Sequence, residues 1–508
     1  MLVIDGRRLT IEDVVSVARM GTEVGLSPAA VEAMNESGDL VRGLVDKGEV
    51  VYGVTTGFGK LANVTISGEQ AAELQVNLIR SHAVGVGEPL AEEVVRAVML
   101  LRANTLAKGF SGIRPVVVQT LLDMLNGGIY PVIPAQGSVG ASGDLIPLAH
   151  MTLPLIGEGE ATRSGKQMPA REALEGTGIK PVVLEAKEGL ALINGTTVMT
   201  AIAALAVHDA GILLDTADTA AALTMEALRG IDSAFDENVT LVRAHVGQAR
   251  SAANLRLLLE GSGLVSSAGE LRIQDPYSLR CTPQVHGASR DAVAYVRGVV
   301  EVEINSATDN PLIFPGLGRV ISAGNFHGQP VALAMDFLGI ALSELANIAN
   351  CRVSQLMVAE VDRLPPFLVE RGGLNTGLML TQYTAAALVS ENKVLASPAS
   401  VDSIPTSAFQ EDHVSMGTIA ARKALNILAN VVNVTAIELF CAAQAIDFHQ
   451  PCRLGRGTAA AYRTIRENVA GVTEDRIMYP DIHRLARMVK EGVFATFVPG
   501  QIPADVPA

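Results

Sequence analysis

Apolar residues recur at helical spacing through most of the second half of the chain. Leu425, Leu428, Val432 and Leu439 fall at i, i+3, i+7 and i+14, a near-heptad stripe that predicts a long helix packed on another helix. Ala- and Leu-rich segments from about 196 to 230 and from about 330 to 360 predict further long helices, whereas the alternating patterns that suit strands are short and few. The expectation is a mainly α fold with a long central helical bundle. The first third reads differently. Gly and Pro cluster in VYGVTTGFGK (51–60), HAVGVGEP (82–89) and YPVIPAQGSVGASGD (130–144), which predicts loops between helices, where chemistry is expected to sit. A loop-rich N-terminal helical domain over 1–195 and a bundle domain over 196–508 are therefore expected, although no repeat or flexible linker marks the boundary.

Length supports more than one packed region, since 508 residues exceed the size at which a single core stops growing. Hydrophobic residues make up 49% and charged residues 18%, with a mean hydropathy of +0.32. Such a composition suggests extensive buried helix or subunit contact, and a soluble oligomer is the expectation. Two apolar stretches, 190–228 and 331–349, invite a membrane reading. His208, Asp209, Asp215 and Asp218 interrupt the first, and Asp336 and Glu344 the second, so buried bundle helices are expected instead. The net charge of −14 and pI near 5.2 argue against a phosphate-neutralising surface, and no nucleic-acid partner is expected. Cys281, Cys351, Cys441 and Cys452 are far apart with no CxxC pair, and the N-terminus has no apolar signal-like core. Both point to reduced thiols and a cytoplasmic location.

The most informative segment is GSVGASGDLIPLAHM, residues 137–151. Gly-rich turns before helices often serve only backbone geometry or phosphate binding. Here no Lys follows as in GxxxxGK[ST], and Asp144 would repel an anion. Ala-Ser-Gly permits another chemistry. In a tight bend the amide nitrogen of Gly143 attacks the carbonyl carbon of Ala141, helped by the small size of both residues. Loss of water from the resulting ring, and of a second water from the Ser142 side chain, leaves a methylidene conjugated with an imidazolone. Ser142 thereby becomes an electrophile, which ordinary side chains do not provide.

The segment resembles the signature of the aromatic amino-acid ammonia-lyases and their aminomutase relatives, which use this methylidene-imidazolone (MIO) group. Similarity continues through YGVTTGFG (52–59), KEGLALINGTT (187–197), QDPYSLRC (274–281), NSATDNP (305–311), GNFHG (324–328) and SVDSIPTSAFQEDHVSM (400–416), so most of the chain is covered. The resemblance implies a fumarase/aspartase-like helical architecture. It also implies an MIO formed autocatalytically from Ala141, Ser142 and Gly143 without an external cofactor, and a homotetramer whose active sites combine residues from several subunits.

Site roles follow residue by residue from the same resemblance. Tyr52 matches the mobile-loop tyrosine that removes the β-proton, although a lone tyrosine at a loop edge is usually just an amphipathic ring. Arg280 is suited to clamp the substrate carboxylate, because a planar guanidinium fork matches a planar carboxylate; a surface Arg is the plainer alternative. Tyr277 and Gln274 match neighbouring active-site positions. Asn194, otherwise a turn residue, resembles the asparagine near the carboxylate and the MIO, and Phe326 resembles the aromatic residue beside the group.

Ser81-His82 has the pattern of the family's histidine branch, and Glu411 supplies a second polar partner. An imidazole substrate satisfies both, whereas a benzyl ring leaves each unpaired at about 1–3 kcal/mol apiece. A buried structural histidine and a solvated carboxylate are the alternatives. Three positions depart from that branch: Phe409 before QEDH, Ile146 after GDL and Gln329 after GNFHG. Phe409 is the one expected to narrow the pocket or favour a phenyl substrate. Phenylalanine or tyrosine ammonia-lyase and aminomutase therefore remain the rival activities. A fumarase-type lyase lacks its GSSxMPxKxNP loop here, and a noncatalytic scaffold is disfavoured by retention of Ala-Ser-Gly and Tyr52. The nine histidines contain no HExxH spacing, so no metal is expected.

Overall fold

Several helices begin and end where local chemistry provides for it. Thr10 Oγ accepts the Asp13 N–H at 3.0 Å while the Asp13 carboxylate accepts the Thr10 N–H at 2.9 Å, a capping box that opens Ile11–Met20; Gly21, left-handed at φ 73°, closes it. Ser27 and Pro28 open Pro28–Asp46 in the same spirit, the first as an acceptor and the second by its fixed φ. These elements belong to a computed structural model that describes residues 1–358 and 364–498. It is mainly α, as expected. The short strands form small separate sheets, among them the parallel pair Leu2–Ile4 and Val24–Leu26 and the hairpin of Leu312–Phe314 with Arg319–Ile321.

Two compact units result. The first comprises Met1–His208, Arg297–Asp336 and Pro398–Arg422; the second comprises Asp209–Val296, Phe337–Ser397 and Lys423–Ala508. This differs from one cut near residue 195. At 208, 296, 336 and 422 the chain changes unit within the helices Thr197–Ala227, Thr282–Glu303, Gln329–Val358 and Gly417–Asp447, and at 397 it does so just after the helix Met379–Leu395. Periodicity runs unbroken through each of the four helices, so no linker composition marks the division there.

The predicted stripe lies on Gly417–Asp447, where Leu428, Val432 and Leu439 are buried and Leu425 is half-buried. The helices Thr197–Ala227, Gln329–Val358 and Gly417–Asp447 are each long and apolar enough to cross a membrane. Within the chain, however, 78%, 67% and 72% of their most apolar windows are buried. The charges that interrupt the first of them are accommodated by protein. Asp218, buried in the second unit, accepts hydrogen bonds from Asn254 at 2.7 Å and Arg290 at 2.6 Å, and lies 2.7 Å from His286 Nδ1. Burial opposes its charge, but Arg290, His286 and Asn254 outweigh that and bring its pKa down to about 2. In the same unit the buried Arg352 holds both oxygens of Glu438, at 2.5 and 2.9 Å.

Candidate active site

The Gly-rich segment lies between the strand Pro134–Gln136 and the helix Leu145–Thr152, and it turns by two consecutive left-handed residues, Ser142 (φ 49°) and Gly143 (φ 79°). Gly143 N–H points back to the Gly140 carbonyl at 3.3 Å. The turn is pinned to the INGT segment: Gly195 N–H donates to the Ser142 carbonyl at 3.0 Å, and Asp144 N–H donates to the Gly195 carbonyl at 2.7 Å. A Cβ on Gly143 would lie 2.2 Å from the Gly195 oxygen, so only glycine fits there.

Asp144 anchors the far side of the turn. Its buried carboxylate accepts the N–H groups of Val198 at 2.8 Å and Met199 at 2.9 Å, at the N-terminal end of Thr197–Ala227, and also the Thr418 hydroxyl. Burial pushes the Asp144 carboxyl up to about 6, against the lowering effect of these hydrogen bonds and of Ser138.

Six of the expected residues meet at one cavity of about 880 Å³: Tyr52, His82, Ser142, Asn194, Phe326 and Glu411. All belong to the first unit. Tyr52 OH accepts a long hydrogen bond from Gly59 N–H at 3.4 Å within its own Gly-rich loop. Glu411 lies with one carboxylate oxygen 3.5 Å from Ser142 Oγ, and the other accepts from Thr406 Oγ1 at 3.1 Å. His82 Nδ1 is 3.0 Å from Ser81 Oγ. Burial holds the His82 pKa below its usual value, against the Leu78 backbone and the Glu411 charge, which favours a neutral imidazole at the cavity wall.

Three expected residues are not part of this lining. Gln274, Tyr277 and Arg280 belong to the second unit. There Tyr277 is 72% exposed, the Arg280 guanidinium stacks 4.7 Å from its ring, and Arg280 Nε donates to the Asp275 carbonyl at 2.9 Å. Ala141 and Gly143 hold positions in the turn beside Ser142 without themselves lining the cavity. Phe409 is 78% exposed at a left-handed φ of 66° and does not line this chain's own cavity, whereas its neighbours Ser407 and Gln410 do. Residues 407 to 409 are three successive left-handed residues. Ile146 is half-buried, and Gln329 donates to the Ser400 carbonyl at 3.3 Å.

Sequence reasoning missed a set of buried charges behind the cavity. Asn194 Nδ2 donates to Asp309 Oδ1 at 3.2 Å and to the Asn310 carbonyl at 2.8 Å, while Lys187 Nζ holds Asp309 Oδ2 at 2.7 Å with both side chains fully buried. Arg102 is also buried in this unit, and burial brings its pKa down to about 10 despite the opposing charges of Asp309 and Asp144. Lys187 and Asp309 stand inside the quoted blocks 187–197 and 305–311, and their place in those blocks was the available signal. Among the described residues no group of three or more His, Cys, Asp or Glu could hold a metal ion.

Comparison with known proteins is consistent with this geometry. A family model described as "Aromatic amino acid lyase" matches residues 9–467. The chain is 59% identical over 491 residues to a histidine ammonia-lyase of Alkaliphilus oremlandii, covering 97% of each protein. Among solved structures it resembles histidine ammonia-lyase from Trypanosoma cruzi (TM-score 0.91, 41% identity, 100% of this chain and 99% of that one). It also resembles tyrosine aminomutase from Streptomyces globisporus (TM-score 0.94, 38% identity, 98% of each). The fold is thus the fumarase-like all-α architecture, shared by enzymes that differ in substrate and product. Matched along most of its length by the family model and by such relatives, the chain belongs to the aromatic amino acid lyase family.

Proposed function

We propose that this chain is a carbon–nitrogen lyase that eliminates ammonia from L-histidine, giving trans-urocanate, with an MIO made from Ala141, Ser142 and Gly143. The observation that carries the reading is the convergence of Ser142, Tyr52, His82 and Glu411 on one cavity. The turn suits the group. Ser142 and Gly143 are both left-handed, and Gly143 has no room for a Cβ. Once formed, the group supplies an electrophilic carbon that no ordinary side chain offers.

The chain's own residues do the rest. Tyr52 takes the β-proton through its phenol oxygen. His82, kept neutral by burial, and Glu411 pair with the substrate imidazole and select it over a phenyl ring, whose binding would leave both unpaired. Phe326 closes the apolar side of the cavity. Arg280 clamps the carboxylate bidentately, with Tyr277 and Gln274 beside it. These three reach the cavity from another copy of the chain in a cytoplasmic homotetramer, which accounts for their absence from this chain's own lining. The substrate is a small amino acid; no nucleic acid or membrane takes part.

Phenylalanine and tyrosine lyases and the aminomutases are the second reading, kept open by the likeness to tyrosine aminomutase. Incubation of purified protein separately with histidine, phenylalanine and tyrosine, with ammonia release and product identity followed, distinguishes them. Histidine should be deaminated fastest and ammonia released rather than returned to the β-carbon. Faster deamination of phenylalanine overturns the substrate assignment while leaving the chemistry in place.

A further inference from the structure

We infer that Asp309, held by Lys187, is a positioning residue that orients Asn194 as a hydrogen-bond acceptor for the substrate's amine, not as a donor to its carboxylate. This rests on the ammonia-lyase reading of the cavity. A side-chain amide carries two N–H donors and one carbonyl oxygen. Both donors of Asn194 are directed into the protein, to Asp309 Oδ1 at 3.2 Å and the Asn310 carbonyl at 2.8 Å. Oxygen atoms at both places decide which end of the amide is nitrogen, because the flipped amide would set its oxygen against a carboxylate and a carbonyl.

Asp309 cannot turn aside to relax that choice. Its Oδ2 accepts Lys187 Nζ at 2.7 Å, its Oδ1 accepts the Asn310 N–H at 2.6 Å, and Lys187 and Asp309 are both fully buried. What remains to Asn194 is Oδ1, buried and without a partner, in a residue only 3% exposed that lines the same cavity as Ser142. A buried acceptor left unpaired is costly, and a ligand that donates to it removes the cost. Of the two charged ends of an α-amino acid only the amine donates; the carboxylate would be repelled by Oδ1. The amine is also the group that must lie next to Ser142.

The test uses two partial ligands on full-length Ser142→Ala protein, so that binding is read without turnover. Histidinol keeps the amine and lacks the carboxylate, and imidazolylpropionate keeps the carboxylate and lacks the amine. Adding Asn194→Ala should weaken histidinol binding in calorimetry by about ten- to hundredfold and leave imidazolylpropionate within about twofold. Adding Asp309→Asn instead should reproduce the selective loss, because the new amide can present its N–H to Asn194 and flip it.

An equal or larger loss of imidazolylpropionate with Asn194→Ala overturns the inference. A folded Asp309→Asn protein that binds histidinol normally removes Asp309 from it. Should Asp309→Asn not fold, the two ligands on Asn194→Ala still decide the matter. If the Ser142→Ala protein binds neither ligand before these changes, it is the ammonia-lyase reading that fails.

Discussion

In the second unit both oxygens of Asp218 and both of Glu438 have donors, supplied by Asn254, Arg290, His286, Arg352 and Thr224. In the first unit the buried set of Lys187, Asp309 and Asn194 stops one partner short, at Asn194 Oδ1. Both sets bury charge, and a carboxyl in or near each has a strongly perturbed pKa, Asp218 lowered by its partners against burial and Asp144 raised by burial, so neither property separates structure from function. The difference lies in what is left over. A set whose carboxylates are all satisfied holds helices in register, whereas an acceptor without a partner beside a cavity is available to a ligand.

The largest effect expected on the open side of this comparison is that of Ser142→Ala. It should abolish ammonia release and remove a mass deficit of two water molecules from the fragment containing Ala141 to Gly143, with the unfolding midpoint little changed. Full activity in protein of unmodified mass would end the MIO proposal. Tyr52→Phe should lower kcat by about 10²- to 10⁴-fold, with a smaller change in KM and none in the midpoint. Unaltered kinetics would remove Tyr52 from the mechanism.

Arg352→Met tests the closed side. It leaves Glu438 buried without its counter-ion and should cost about 3–5 kcal/mol of stability in denaturant titration, while kcat per folded molecule is retained. A lost kcat with stability intact would reverse the assignment of the two regions.

A smaller contrast lies in pH dependence, where two buried aspartates act with opposite sign. Asp144 is raised from 3.8 to about 6, so the folded chain holds this proton more tightly than the unfolded chain. Its ionised form therefore costs stability, in full above about pH 6 and not at all well below 3.8. Asp218 is lowered from 3.8 to about 2; it contributes stability above 3.8 that disappears as pH falls through 2. Unfolding midpoints measured against pH should show that Asp144→Asn flattens the decline between about pH 4 and 6. Asp218→Asn should flatten the loss below about pH 4. Identical profiles for both variants and the unaltered protein would show that neither carboxyl is perturbed as described.

Much of this site was legible because its chemistry is written in short runs. Ala141, Ser142 and Gly143 are contiguous, and Tyr52, His82, Asn194, Phe326 and Glu411 each sit in a block whose resemblance to the family implies a role. The division into units was not legible, since at four of its five crossings the chain changes unit inside helices whose apolar spacing continues unbroken. The backbone course before Glu411 was not legible for a similar reason. Ser407, Ala408 and Phe409 are left-handed in succession, and side-chain composition does not announce such a turn.

By itself the sequence determined the long helices, the Gly-rich turn and the residue types available to react, because each depends on spacing within a few turns of chain or on a local bend. Only the tertiary structure decided which of those residues share a cavity and what stands behind them. Lys187 and Asp309 are 122 positions apart, and nothing in either segment names the other. Their pairing arises when helices and loops close around a common interior, where burial makes an unpaired charge expensive and leaves few geometries that satisfy both groups. The same closure set the direction of the Asn194 amide, a choice between two nearly identical ends that depends entirely on which atoms lie beside it.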